Sequence, residues 1–377
     1  MHDAITDDQR MLVDACARLV TDTYPLQRVR EKAYEDAAFA AEYRRRAGEL
    51  GWYSMLVPDS LGGGTISGNG VLDAALIAYQ RGRLLQPGPF VGTNVVAYAL
   101  AVSGTEEQRG KVLAALMSGE ASASWVVTDS PGAPVVDGVV SATPTGGGYR
   151  LSGDATFIED PGPGGWFLIT AAGTDGPGLF LVRADEPGLR ARSLGSLDIT
   201  RRFVALHLDA LDVPASALVE NDGGAADLID RLLALACVLT TAESVGAMDY
   251  ELGVTVQYAK DRIAFGRPIG SFQAVKHSLA DSSLLLEMSK AIALAAAQHL
   301  GDDCGYEGYG LQAASMAKAF VGDCGIDLAQ SCFQTFGGIG FTWEHDQHLY
   351  LRRLTSDAAF FGDPAWHRER LCQLSGI

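Results

Sequence analysis

Apolar residues recur at helical spacing through the first third of the chain, in stretches such as 9–23 and 37–50, and predict a block of helices over residues 1–117. Within it, VPDSLGGG (57–64) predicts a turn between two helices. The period then changes. Over residues 118–225, short runs rich in Val, Leu and Phe at 125–128, 149–151, 156–158, 166–170, 179–182 and 204–208 alternate with turns such as GPGG (162–165) and TDGPG (174–178). That alternation is the pattern of a small β-barrel or sandwich. Helical spacing returns over 226–377. Residues 227–258 read as one or two long helices and 272–300 and 310–336 as two more, with Gly266, Pro268 and Gly270 interrupting after the first. The predicted fold is mainly α with a central β domain, in three units: 1–117, 118–225 and 226–377.

Composition narrows the class. A chain of 377 residues is too long for one ordinary core. With 47% hydrophobic and 20% charged residues it is expected to be globular. No apolar run reaches the roughly 20 residues that span a bilayer. The start, MHDAITDDQR, has neither the basic nor the apolar region of a signal peptide, so a cytoplasmic protein is expected. A net charge of −17 argues against nucleic-acid or membrane partners. An anionic substrate would need a local basic patch. The six cysteines, Cys16, Cys237, Cys304, Cys324, Cys332 and Cys372, form no CxxC pair, so no zinc site or disulfide framework is expected.

Two segments carry candidate chemistry: RIAFGRPIGSFQAVKH (262–277) and CFQTFGGIGFTWEHDQHLYLRR (332–353). In the second, Gly337, Gly338 and Gly340 follow a helical stretch. There they either admit a ligand close to backbone N–H donors or simply cap the helix. In the first, Arg262 and Gln273 offer a cation and an amide to a phosphate or base, or else stand on the surface beside a turn. Glu344, His345 and His348 lack a further ligand, which favours a polar cluster at the start of a helix and no metal.

Together these segments resemble the acyl-CoA dehydrogenase family. ELGWYSMLVPDSLGG (49–63), GTEEQRGKVLAALMSG (104–119) and LDVPASAL (211–218) are similar to further family signatures, in the right order, so the resemblance covers nearly the whole chain. It implies a helical N-terminal domain, a β-barrel or sandwich and a C-terminal four-helix bundle. It also implies a dimer-based tetramer that binds FAD and acyl-CoA and passes electrons to a flavoprotein acceptor. In the family each FAD lies across a dimer interface. One subunit holds the flavin ring with its β domain. The other supplies residues matched here by Arg262, Phe265, Gln273, Gln334, Gly337 and Gly338. That outer half-site is intact.

The half-site a subunit keeps for itself departs from the family. WVVTDSPGAPV (125–135) retains Thr128 but lacks the Gly-Ser-Asp element. Phe157-Ile158-Glu159-Asp160 has a carboxylate where the family has a hydroxyl beside the flavin, a charge costly to desolvate. The α-proton of the thioester must meet a positioned base. The usual glutamate position falls on Phe361, and the alternative position on a C-terminal helix falls on Ala236. Neither accepts a proton, and the catalytic set is expected to be empty. Asp363 and Glu243 are the nearest substitutes, with a turn aspartate and a helix polar residue as their plainer roles. Arg352 is expected in a structural salt bridge, and Arg353, Arg201 and Arg202 as surface charge or interface contacts.

The sequence therefore suggests a non-catalytic subunit of an α2β2 acyl-CoA dehydrogenase, similar to an actinobacterial heteromeric branch in which some members act on CoA thioesters of steroid side chains. It would complete the FAD site of a homologous catalytic partner that holds the acyl-CoA. A self-sufficient homotetramer using Asp363 or Glu243 is the second reading, and a non-catalytic CoA-ester binding or scaffold protein the third.

Overall fold

Four of the described helices begin where a side chain closes the first turn, at Thr6, Asn69, Thr105 and Asp363. In the computed structural model, which describes residues 5–31, 37–129, 132–219, 224–301 and 309–377, α1 (Asp7–Thr23) opens on a capping box. Thr6 Oγ1 accepts from Gln9 N–H at 3.2 Å, and Gln9 Oε1 accepts from Thr6 N–H at 3.0 Å. Helices α2 (Leu26–Arg30), α3 (Ala37–Glu49), α4 (Gly70–Arg83) and α5 (Phe90–Ser103) follow. A second capping box, at Thr105, starts α6 (Glu106–Gln108), which continues through a π-helical turn (Arg109–Leu113) into α7 (Ala114–Met117).

The β domain is an eight-stranded sheet. Its strands are β1 (Ala123–Val126), β2 (Val140–Thr145), β3 (Gly148–Glu159), β4 (Trp166–Gly173), β5 (Gly176–Arg183), β6 (Leu189–Ser193), β7 (Phe203–Pro214) and β8 (Leu218–Val219). The order is β6-β7-β3-β2-β4-β5-β8, with β1 parallel to β4. The runs at 149–151 and 156–158 belong to one strand, β3, whose pairing with β7 shifts register at Leu151/Gly153 and Ala155/Ile158. Strands β4 and β5 are buried on both faces. Phe167, Ile169, Phe180 and Val182 fill the interior of the β domain, while Leu168, Leu179 and Leu181 join the helical core.

The region 227–258 is a single helix, α8 (Ala225–Asp261), apolar nearly all round because α4, α5, α9, α10 and α11 surround it. A two-stranded hairpin, β9 (Ile263–Ala264) and β10 (Arg267–Pro268), leads to α9 (Gln273–Gly301). The bundle continues with α10 (Tyr309–Phe336), a 3-10 turn (Gly337–Phe341), α11 (Gln347–Ala359) and α12 (Pro364–Leu374). Glycines set its closest crossing. A methyl at Gly82 on α4 would collide with the Glu243 carbonyl on α8, and one at Gly246 with the Tyr79 carbonyl. This contact brings Arg81 beside Glu243. Among the described residues no helix is long and apolar enough to cross a membrane. Cys16, Cys237, Cys324, Cys332 and Cys372 are free thiols, and Cys304 lies outside the described residues.

Candidate functional site

The β domain meets the helices over a buried ion network. Arg201, from the turn before β7, reaches Glu159 at the end of β3 (3.3 Å), Glu243 on α8 (2.5 Å) and Asp357 on α11 (3.0 Å). Arg81 pairs with Glu243 from the other side at 3.0 Å and donates to the Pro87 carbonyl at 2.9 Å. Arg353 binds Asp198 at 3.0 Å and Thr200 Oγ1. Every member is at most 4% exposed. This corrects the sequence expectation for two arginines. Arg201 and Arg353 are interior cations, whereas Arg352 makes no salt bridge among the described residues and donates to the Leu197 carbonyl at 3.1 Å. No local sequence signal marks the network, since Arg81 and Glu243 are 162 residues apart.

Burial and charge set the protonation of these acids. Burial pushes Glu159 up to about 7, against the pull of Arg201 and with a push from Glu243. Its Oε1 has no hydrogen-bond partner among the described residues, a geometry that suits a protonated carboxyl. Asp357 is raised by burial to about 6, again opposed by Arg201. Glu243 is lowered: burial opposes this, but Arg201 and Arg81 together prevail. A carboxyl whose folded pKa lies above its unfolded value stabilises fully below the unfolded value and loses that contribution as pH rises through the folded one. Glu159 and Asp357 should therefore lower the urea midpoint progressively from about pH 4 to pH 7. Glu159→Gln is expected to flatten that fall in urea titrations from pH 5 to 8. A variant profile parallel to the wild type would dismiss the assignment.

Beside the network lies an aromatic plug. Phe361 stacks on Trp125 (ring centroids 6.1 Å) and touches Phe360 (4.0 Å). Phe360 meets Phe157 and Phe203, which stack on each other at 4.4 Å. Phe157 and Phe361 have φ of 58° and 60°, left-handed conformations that side chains adopt only when the surroundings hold them. Phe361 is held by its turn: Lys318 Nζ donates to the Ala358 and Gly362 carbonyls at 2.8 and 2.9 Å, and His367 Nε2 contacts the Phe361 carbonyl at 2.9 Å. Burial keeps Lys318 down at about 8 and His367 down at about 3, the latter with help from Lys318. Thr128 turns its hydroxyl to the Thr156 carbonyl at 2.5 Å.

The proton-accepting candidates divide accordingly. Phe361 and Ala236 are buried. Glu243 is enclosed by two guanidiniums. Asp363 is the N-cap of α12 and accepts from Trp366 N–H at 2.7 Å. At this face the residues present do not fit a flavin ring, because side chains from both domains already fill the junction.

The opposite holds at the outer end of the bundle. Tyr258, one turn before Arg262, packs on Phe336, the residue before Gly337, with centroids 4.5 Å apart. The two motifs therefore share one end of the molecule. Arg262 caps α8, Gln273 begins α9, and both are exposed, as are Gln334 and Gly338. Gly337 has φ 61°, and nothing lies within 4 Å of a Cβ placed at Gly337 or Gly338. Phe265 stands at the hairpin tip with φ 52°, 96% exposed. A guanidinium, two amides and an open glycine turn fit a dinucleotide's phosphates and base. His345 packs at a tilt against Phe336 and His348 stacks on Trp343, and no group of three metal donors occurs among the described residues.

Comparison with known proteins agrees with this architecture. Residues 6–120 match the acyl-CoA dehydrogenase N-terminal domain and residues 223–373 the acyl-CoA dehydrogenase C-terminal domain. The chain is 29% identical to the acyl-CoA dehydrogenase IpdE2 of Mycobacterium tuberculosis, over 95% of this chain and 94% of that protein. Among solved structures it is similar to a variant of the Tcur3481–Tcur3483 steroid ACAD (29% identity, 98% of each chain, TM-score 0.86). It is also similar to the ChsE4–ChsE5 complex from Mycobacterium tuberculosis (26% identity, 100% of this chain and 99% of that one, TM-score 0.86). With both family domains in order around the same β domain, the chain belongs to the acyl-CoA dehydrogenase family.

Proposed function

We propose that this chain is the non-catalytic subunit of a heteromeric FAD-dependent acyl-CoA dehydrogenase, completing in trans the FAD site of a homologous catalytic partner. The observation that carries the reading is the contrast between its two faces. The junction between β domain and bundle is filled by rings and paired charges, while the glycine turn with Arg262, Gln273 and Gln334 stays open. Bound FAD supplies the hydride acceptor for α,β-dehydrogenation of the thioester. This chain's part is to bind and orient: Arg262 meets pyrophosphate oxygens, Gln273 and Gln334 offer amides, and Gly337 and Gly338 admit the ligand to the backbone. The exposed apolar residues Phe265, Leu284, Met288, Phe341 and Trp343 suit burial against the partner. Likeness to a complex described as a steroid ACAD supports a steroid side-chain CoA ester as substrate, held by the partner. Electron transfer to a flavoprotein and a cytoplasmic setting belong to the same proposal.

The test is co-expression with the homologous chain, purification of the complex and spectroscopic counting of FAD. Half occupancy per protomer is expected. Asp363→Asn should leave turnover unchanged, because asparagine caps a helix as well as aspartate. Full occupancy, or a yellow and active protein from this chain alone, would favour the self-sufficient homotetramer. A colourless complex would favour the CoA-ester binding or scaffold reading.

A further inference from the structure

A cleft of about 490 Å³ lies between the N-terminal helices and the β domain, in the size range of small-molecule sites. Its walls are flat: the rings of Tyr24, Tyr43, Tyr53, Pro87, Pro89 and Pro161 line it, and the small residue Ala41 on α3 leaves it open. Most polar groups there are satisfied. Tyr43 donates to Gln86 Oε1 at 2.7 Å, Ser122 to the Pro161 carbonyl at 2.6 Å, and Asp160 accepts from Gly162 N–H at 2.8 Å.

Two groups are not. Tyr53 is 5% exposed, and its hydroxyl makes no hydrogen bond among the described residues. Arg44 is half-buried and donates only to the Gly119 and Glu120 carbonyls, at 2.9 and 3.2 Å, with no carboxylate partner among the described residues. Neutral carbonyls orient a guanidinium without compensating its charge, and burial makes that charge costly. No carboxylate among the described residues compensates Arg44, although the chain as a whole carries a net charge of −17. The local basic group that an anionic ligand requires is therefore present here, against aromatic walls.

We propose that this cleft binds a flat, apolar small molecule with one anionic end, a ring-bearing carboxylic acid by class. The ring body lies between the tyrosine and proline faces, and the anionic group meets Arg44 and the Tyr53 hydroxyl. None of the residues of the proposed FAD half-site lines the cleft.

The probe is 1-anilinonaphthalene-8-sulfonate, a flat ring system with one anionic group, titrated by fluorescence into the full-length chain. Its uncharged analogue N-phenyl-1-naphthylamine serves as the comparison. One saturable site per chain is expected, emptied by anthracene-9-carboxylate but not by uncharged 9-methylanthracene. Arg44→Met should weaken the anionic probe at least tenfold while moving the neutral one less than twofold. Ala41→Trp, which fills the cleft, should remove the site for both. A saturable site that survives Ala41→Trp, or an Arg44→Met effect that is absent or equal for the two probes, would overturn the proposal. Other apolar surface adds a background common to all variants, and Arg44→Met decides the matter if Ala41→Trp does not fold.

Discussion

Replacing Arg201 by methionine should cost the protein about 4 kcal/mol of stability or more, the range for removing one partner of a buried ion pair. Three carboxyls converge on this guanidinium: Glu159, Glu243 and Asp357. Methionine fills much of the volume but leaves them facing one another without water. Glu159 and Asp357 can escape by staying protonated, whereas Glu243 keeps Arg81. The loss should therefore be smaller at pH 5 than at pH 8, where all three are driven to ionise. Urea unfolding of Arg201→Met at the two pH values measures it, with Arg352→Met as control. Arg352 touches only a backbone carbonyl, and its loss should stay below about 1 kcal/mol. Equal, small effects of the two substitutions would show that the network does not hold the domains together.

Arg262→Ala has the largest effect expected on cofactor binding. Within the proposed complex its guanidinium meets the FAD pyrophosphate, and losing a charge-assisted hydrogen bond costs about 2 kcal/mol, roughly a thirtyfold weaker FAD dissociation constant. The residue caps α8 in the open and packs in no core, so the fold and the assembly should survive. Flavin fluorescence on dilution of the purified complex gives the affinity, and size-exclusion chromatography confirms that both chains remain together. Unchanged affinity in an intact complex would remove Arg262 from the FAD site.

The long bundle helices were legible because their apolar spacing persists over many turns. α9 and α10, at Gln273–Gly301 and Tyr309–Phe336, differ from expectation by no more than a residue at either end. Strands β2 and β6 were not legible. VSATPT and LRARS are largely polar, since each turns most of its side chains outward, and only pairing with β3 and β7 identifies them. The bulged β3 split into two runs because Ser152, Gly153 and Asp154, between the buried Leu151 and Ala155, are not in the interior. Within the proposed FAD half-site, the two C-terminal motifs stand out in the sequence because chain neighbours build each of them. Arg201 and Arg353 were misassigned to the surface because a charge carries no sign of its partner. Their acids come from other elements, and only the fold reveals that Glu159, Glu243 and Asp357 converge on one cation.

The filled junction also bears on how such a chain could change by mutation. Placing a carboxylate at Phe361 alone would put an unpaired negative charge against Trp125 and Phe360, beside a network already holding Glu159, Glu243, Asp357 and Asp198 against Arg81, Arg201 and Arg353. Removing Glu159 alone would leave the rings in place, and removing Arg201 alone would strand the acids. Of these steps the first and the last lower stability, and none by itself yields room for a ligand. The filled junction is thus entrenched: it is left only through several coordinated substitutions.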